Sequence, residues 1–220
     1  MSHQIAIDGP AGAGKSTIAK IVARKLGFIY VDTGAMYRTM ALYLSRQNVD
    51  PDNMEEIGEK AQSAEITIKY VDGEQVVMLG DENVNSLIRN PEVSAMASKT
   101  SQVAKLREKL VELQQKLAQT ENVVMDGRDI GTVVLPKADL KIYLTASVEV
   151  RAQRRYKEMI AKGQEAVLAD IEKDIAERDY RDMHREASPL KQADDAILVD
   201  TSDMSIEEVA DKIIELYNTK

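Results

Sequence analysis

Residues 4–17 read Gln4-Ile5-Ala6-Ile7-Asp8-Gly9-Pro10-Ala11-Gly12-Ala13-Gly14-Lys15-Ser16-Thr17. A short apolar run leads into the pattern GxxxxGK[ST], and the residues after it repeat at helical spacing. Strand, glycine-rich loop and helix, in that order, are the context a phosphate-cradling P-loop requires. The glycines let backbone N–H groups turn inward around phosphate oxygens, and the helix opening at Lys15 adds the positive end of its dipole. Lys15 is then placed to reach the β and γ phosphates, and the Ser16 hydroxyl to ligate Mg²⁺. Gly9, Pro10, Ala11, Gly12, Ala13, Gly14, Lys15, Ser16 and Thr17 are therefore expected to hold a nucleoside triphosphate.

Outward from this loop the chain alternates. KSTIAKIVARKL is a helix stopped by Gly27, FIYVD a second strand, and residues 35–45 a second helix. NVVMD and LKIYLT follow later, each with helical sequence after it, then AILVD and a closing helix over residues 205–217. Five short apolar strands alternating with helices imply an α/β fold with a parallel sheet covered on both faces. Two regions break the rhythm. Residues 65–85, EITIKYVDGEQVVMLGDENVN, alternate between turn signals at Asp72-Gly73 and Gly80-Asp81, and predict a small antiparallel meander inserted beside the main sheet. Val103, Leu106, Leu110, Leu113 and Leu117 repeat over about two heptads, short of a coiled coil, and predict a core-packing helix.

The 220 residues suffice for one main domain with insertions. No cysteine is present and the only histidines are His3 and His184, so disulfides, a thiolate nucleophile and a Cys- or His-based metal site are excluded or improbable. The N-terminal residues lack the pattern of a signal peptide and no run approaches a membrane span, so a soluble cytoplasmic protein without membrane contact is expected. A net charge of −8, with eight tyrosines, one phenylalanine and no tryptophan, argues against a general nucleic-acid binder. An anionic ligand must be held by a local cluster of cations.

Asp126, ending the buried run NVVMD, stands where a second carboxylate can orient Mg²⁺ and its waters, its plainer reading being a strand-end cap. Asp32, ending FIYVD, has the weaker claim. After Gly163 the helix stripe Leu168, Ile171, Ile175 continues onto Arg178, Asp182 and Arg185, with Arg181 alongside, so one face passes from apolar to ionic. Like charges stacked this way favour an anion between them over a bare surface face. Arg151, Arg154 and Arg155 form a second group, and Lys162-Gly163-Gln164 reads as a hinge. Two arginine groups about a hinge suggest a lid that closes over phosphates.

No Asp stands three residues before a glycine and no Asn-Lys pair occurs, so the segments a GTPase switch needs are missing. Instead GPAGAGKST, DTGAMYR, TSQV with LRE, MDGRDIGTVV, KIYLTAS and ERDYRDMHREASPL together resemble the bacterial cytidylate kinase family, within the P-loop nucleoside monophosphate kinases. The resemblance spans essentially the whole chain. It implies a P-loop core over 1–62, 89–150 and 167–220, a nucleotide-monophosphate-binding insertion at 63–88 and a short lid at 151–166. It implies ATP and CMP or dCMP as substrates, Mg²⁺ with the ATP, and CDP or dCDP as product. The chain is expected to act as a monomer.

Carried over position by position, the resemblance places Thr33, Arg38, Arg128 and Arg185 near the acceptor phosphate, Arg178 and Asp182 at the sugar, and Ser101, Arg107 and Asp129 at the base. Lys15, Arg128, Arg178 and Arg185 would be catalytic, Arg154 and Arg155 would join the ATP site, and Ser16 with Asp126, the latter through water, would hold the metal. Plainer readings stand beside these: Thr33 and Ser101 as helix N-caps, Arg38 and Arg107 as solvated side chains. The chemistry agrees with a cytosine reader, since Asp129 can accept from the N4 amine while Arg107 donates to the ring acceptors. Uracil would set an oxygen against that carboxylate, so discrimination against UMP is expected.

Overall fold

A computed structural model describes residues 2–71 and 73–219; Asp72 of the expected Asp72-Gly73 turn lies outside the described residues. The chain runs β1 (Gln4–Asp8), α1 (Lys15–Leu26), β2 (Ile29–Asp32), α2 (Thr33–Arg46), α3 (Met54–Gln62), β3 (Ile66–Val71), β4 (Glu74–Leu79) and β5 (Glu82–Asn83). It continues through α4 (Pro91–Thr100), α5 (Ala104–Thr120), β6 (Val123–Gly127), a π-helical turn (Ile130–Val134), β7 (Leu140–Thr145), α6 (Val148–Ala161), α7 (Leu168–His184), β8 (Ile197–Asp200) and α8 (Ile206–Asn218). The five expected strands form one parallel sheet in the order β2-β6-β1-β7-β8. The meander is a separate antiparallel sheet, β3-β4-β5.

The central strand shows why the sheet strands lack polar alternation. Ile5 and Ile7 face a cluster built with Ile18, Val22 and Ile213 of α1 and α8, while Ala6 faces Val31, Met125, Ala118 and Ile130 on the other side. Side chains of one strand alternate between faces, and both faces here are covered, so the three interior positions Ile5, Ala6 and Ile7 are all apolar. Gly27 ends α1 in the left-handed region (φ 69°), where its N–H and the turn close the last carbonyls. On the other side of β2, α2 begins two residues earlier than expected, because the Asp32 side chain accepts from Ala35 N at 2.8 Å and caps it.

Two helices were not legible as periodic runs. α3 is capped by Asn53, and α4 by Asn90 with Pro91 in its first turn. They join α2, α5 and the meander in a second hydrophobic cluster that contains Met36, Met40, Leu44, Ile57, Ile66, Val77, Ile88, Leu106 and Leu110. The stripe on α5 thus packs inside the chain, as expected, with Leu106 and Leu110 fully buried and Leu113 and Leu117 only partly so. The meander is fastened to the main sheet through Gln75, whose Oε1 accepts from Asp32 N at 2.7 Å and whose Nε2 donates to Asp32 O at 3.3 Å. Tyr70 adds a hydroxyl bond to Tyr30 O at 3.1 Å, and Lys20 pairs with Glu74 at 3.1 Å.

Leu110→Ala removes a fully buried side chain from the second hydrophobic cluster, and is expected to cost about 2–5 kcal/mol of unfolding free energy. Urea unfolding checks this; Leu113→Ala, at a half-exposed position, should lose clearly less.

Candidate functional site

The sheet brings three strand ends together: in the parallel register Asp8 lies beside Gly127, and Asp32 beside Asp126. Ligands of open α/β sheets bind outside such carboxyl ends. Directly after β1 the loop turns through Gly9, Gly12 and Gly14 at φ 147°, 76° and 85°. A Cβ on Gly9 would lie 1.9 Å from Leu144 O, so the loop can pass β7 only with glycine there. Lys15 is buried at the start of α1, and its Nζ donates to Pro10 O at 2.7 Å. Burial, with Arg128 next, pulls its ammonium well below the usual lysine range, against the attraction of Asp126.

Asp126 connects the loop to the metal question. Its Oδ2 accepts from Ser16 Oγ at 2.9 Å and its Oδ1 from the Tyr30 hydroxyl at 2.8 Å. Burial pushes its carboxyl up to about 6; Asp32 adds to the rise, while Lys15 opposes it. Among the described residues no group of three or more His, Cys, Asp or Glu could hold a metal alone. One hydroxyl beside one carboxylate fits a hard cation that takes most of its ligands from phosphate and water, as Mg²⁺ does.

At the acceptor end Arg107 and Asp129 form a buried ion pair. Arg107 also donates to Ser101 O at 3.1 Å, and its guanidinium lies 5.2 Å from the centre of the Tyr37 ring. Arg185 sits 3.7 Å from the other Asp129 oxygen and donates through Nε to Ser188 O at 2.8 Å. Arg128 Nε donates to Asp182 Oδ2 at 2.8 Å. Burial works against the Asp182 charge, but Arg128, Arg178 and Arg185 outweigh it and hold its carboxyl below the usual range. Arg178 is lowered to about 10, by burial first and then by Arg128.

These groups line one cleft of about 350 Å³. It takes in Ala11, Gly12, Gly14, Lys15, Ser16 and Thr17 of the loop together with Thr33, Arg38, Ser101, Arg107, Asp126, Arg128, Asp129, Arg178, Asp182 and Arg185. Thus most of the expected residues are brought together. Arg38 Nε, Arg178 Nε and Arg185 Nη2 are buried there without a hydrogen-bond acceptor from the protein. Buried donors of this kind point to an anion as their partner.

Other expected residues take different positions. Arg154 turns away from the P-loop and bonds Thr201, its Nη2 donating to Thr201 O at 2.6 Å; Arg155 is exposed and lies 3.6 Å from Glu158. Arg151 reaches the loop instead. Its Nη1 donates to Ala11 O at 2.8 Å and pairs with Asp179 Oδ2 at 2.7 Å, while Asp179 Oδ1 accepts from Ala11 N at 3.3 Å. The ionic face of α7 is accordingly centred on Asp179 and Asp182, and Arg181 is exposed. Asp182 pairs with Arg128 and Arg185. The N-cap readings of Thr33 and Ser101 also fail. Asp32 caps α2, Thr33 Oγ1 donates to Asp126 O at 2.7 Å, and Ser101 ends α4. Nor is Arg107 solvated, being 3% exposed.

Asp179, Tyr30, Tyr37 and Ser98 were not singled out from sequence. Tyr37 and Ser98 line the cleft with buried hydroxyls. A signal existed for Asp179, since it stands within the ERDYRD motif between two residues that were chosen. Tyr30 sits inside an apolar strand, where a tyrosine reads as core, and only the three-dimensional pairing of β2 with β6 exposes its bond to Asp126.

A family model described as cytidylate kinase matches residues 5–219. The chain is 51% identical over 213 residues to a cytidylate kinase of Caldicellulosiruptor bescii, covering 97% of this chain and 94% of that protein. It is 51% identical over 217 residues to one from Lactobacillus johnsonii, covering 99% and 94%, and 51% identical over 211 residues to one from Streptococcus pneumoniae, covering 96% and 95%. Among solved structures, the shikimate kinase of Bacteroides thetaiotaomicron superposes with TM-score 0.52 at 17% identity over 98% of both chains. A gluconokinase from Sinorhizobium meliloti 1021 gives 0.50 at 12% identity over 99% of this chain and 92% of that one. Those distant likenesses carry the P-loop kinase fold. The family match over residues 5–219 and the relatives at 51% identity establish that this chain belongs to the cytidylate kinase family.

Proposed function

We propose that this protein transfers the γ-phosphoryl group of ATP directly, in line, to CMP and dCMP, giving CDP and dCDP. The observation that carries the reading is the buried Arg107–Asp129 pair in the same cleft that Lys15 and Ser16 line. The pair presents a donor and an acceptor side by side, which matches the ring acceptors and amino group of cytosine. The unpartnered nitrogens of Arg38, Arg178 and Arg185 supply an anion cradle for the acceptor phosphate, with Arg128 beside them.

In this reading no side chain has to abstract a proton, because a nucleotide phosphate is largely dianionic at neutral pH and is itself the nucleophile, with a second pKa of about 6. Catalysis rests on alignment and on neutralising charge spread over the transferred group. Lys15 would leave Pro10 O and reach the β and γ phosphates. Ser16 directly, and Asp126 through water, would hold Mg²⁺, which when bound draws charge from the phosphate oxygens. Tyr30 and Ser16 keep Asp126 aimed. Residues 63–88 are assigned to acceptor binding and 151–166 to a lid, and the chain to a monomer working in the cytoplasm. Among the described residues no helix is long and apolar enough to cross a membrane.

An ATP-coupled assay with CMP, dCMP, UMP, dUMP and AMP side by side tests the reading, CMP and dCMP being expected to lead; faster turnover of AMP or UMP would overturn it. Asp129→Ala should cut the CMP-over-UMP ratio of kcat/KM by about 10- to 100-fold while KM for ATP holds steady. Arg185→Ala should lower kcat/KM for every acceptor by roughly 10- to 100-fold, as loss of a charged phosphate contact does. With Asp126→Asn, a Mg²⁺ titration at fixed ATP should require more metal for half-maximal rate.

A further inference from the structure

The residue before the P-loop does work that its position in sequence does not announce. Asp8 closes β1, is 5% exposed, and does not line the cleft. Its Oδ1 accepts from Ile130 N at 2.8 Å and its Oδ2 from Gly131 N at 2.7 Å, across 122 and 123 residues of chain. Those two N–H groups open the π-helical turn, whose wide pitch is seen in the bond from Leu135 N to Ile130 O. The first N–H groups of a helical turn have no acceptor within it. They are ordinarily satisfied by the residue at the cap position, and aspartate is among the best at that task.

Here the cap position belongs to Asp129, and its side chain caps nothing. Its carboxylate is turned instead to Arg107 and Arg185. The capping has been transferred to Asp8, which leaves the Asp129 carboxylate available to the cleft. Space is tight at this contact. A Cβ on Gly131 would stand 3.4 Å from Asp8 Oδ2 and 3.1 Å from Lys141 Cδ.

We infer that Asp8 is a positioning residue for acceptor specificity: by capping the turn after Asp129 in its place, it keeps the Asp129 carboxylate directed at the base. The inference rests on the reading of Asp129 as the cytosine reader. Without Asp8 the N–H groups of Ile130 and Gly131 lack an acceptor and compete with Arg107 and Arg185 for the Asp129 carboxylate, drawing it back toward its own turn and loosening its aim into the cleft. Burial raises the Asp8 carboxyl to about 6, with the two backbone N–H groups and Lys15 working against the rise and Asp129 adding to it. The folded-state value lies above the ordinary one, so the charge costs stability at neutral pH. An asparagine sheds that cost, and Asp8→Asn should fold.

The test compares the CMP-over-UMP ratio of kcat/KM in the wild type, Asp8→Asn, Asp129→Ala and the double variant. Asp8→Asn is expected to lower the ratio on the order of tenfold, the loss expected when one charged hydrogen bond is no longer aimed, with KM for ATP unchanged. In the Asp129→Ala background it should lower the ratio no further, because both changes act through one group. Equal losses with CMP and UMP, a parallel rise in KM for ATP, or additive effects in the double variant would each overturn the inference. If Asp129→Ala leaves the ratio intact, the base-reading assignment itself fails. If Asp129→Ala collapses the ratio and Asp8→Asn does not, only the role of Asp8 fails. Should Asp8→Asn not fold, Asp8→Glu keeps the charge but overreaches by one methylene and is read by the same ratio.

Discussion

The parallel register between β1 and β6 is the constraint on which the rest depends. By setting Asp8 beside Gly127, it ends two strands at one level, so that the loop after the first and the Gly127–Ile130 segment after the second emerge side by side. A slip of one residue would turn every side chain of a strand to the opposite face, moving Ile5 and Ile7 out of the α1 and α8 cluster and Ala6 into it. The large-small-large pattern of this strand therefore fixes the register by packing. The chemistry at the strand ends inherits its alignment from apolar contacts well below it.

Above the sheet the problem is electrostatic. Six cationic side chains face the cleft in a protein whose net charge is −8, and at Lys15, Arg178 and Arg185 burial first and a neighbouring arginine second lower the affinity for protons. Asp126, Asp129 and Asp182 are set between them, each shared by more than one partner. Asp129 and Asp182, each shared between two arginines, restrain those arginines without satisfying them, and Nη2 of Arg185 stays free of a protein acceptor. Buried pairs of this type offer little net stability but strong geometric definition.

Much of this was readable from the chain, and the reasons are local. Each sheet strand carries a buried apolar stretch, and the P-loop glycines carry their own conformational signature, so the fold followed directly. The meander was visible through alternation and turn residues. Helices α3 and α4 escaped because they are short and carry their signal in asparagine caps. At the site, residues chosen from the DGRD and ERDYRD motifs converge because both motifs sit at the open end of the sheet. The least legible groups are long side chains. Arg151, Arg154 and Arg155 lie within one turn and a half of a helix, and spacing alone does not say which faces the loop. Asp8 and Tyr30 look like core strand residues until the sheet pairs them with distant partners.

The grip of Arg151 and Asp179 on Ala11 has a thermodynamic meaning. Together they satisfy both the carbonyl and the N–H of one loop residue, from two helices joined through Gly163 in the left-handed region. A glycine-rich loop left to itself samples many backbone states, and a ligand must spend part of its affinity on selecting one. Here that selection is made when the helices pack, so the entropy is surrendered during folding, and triphosphate meets a loop that is already preorganised around Ala11.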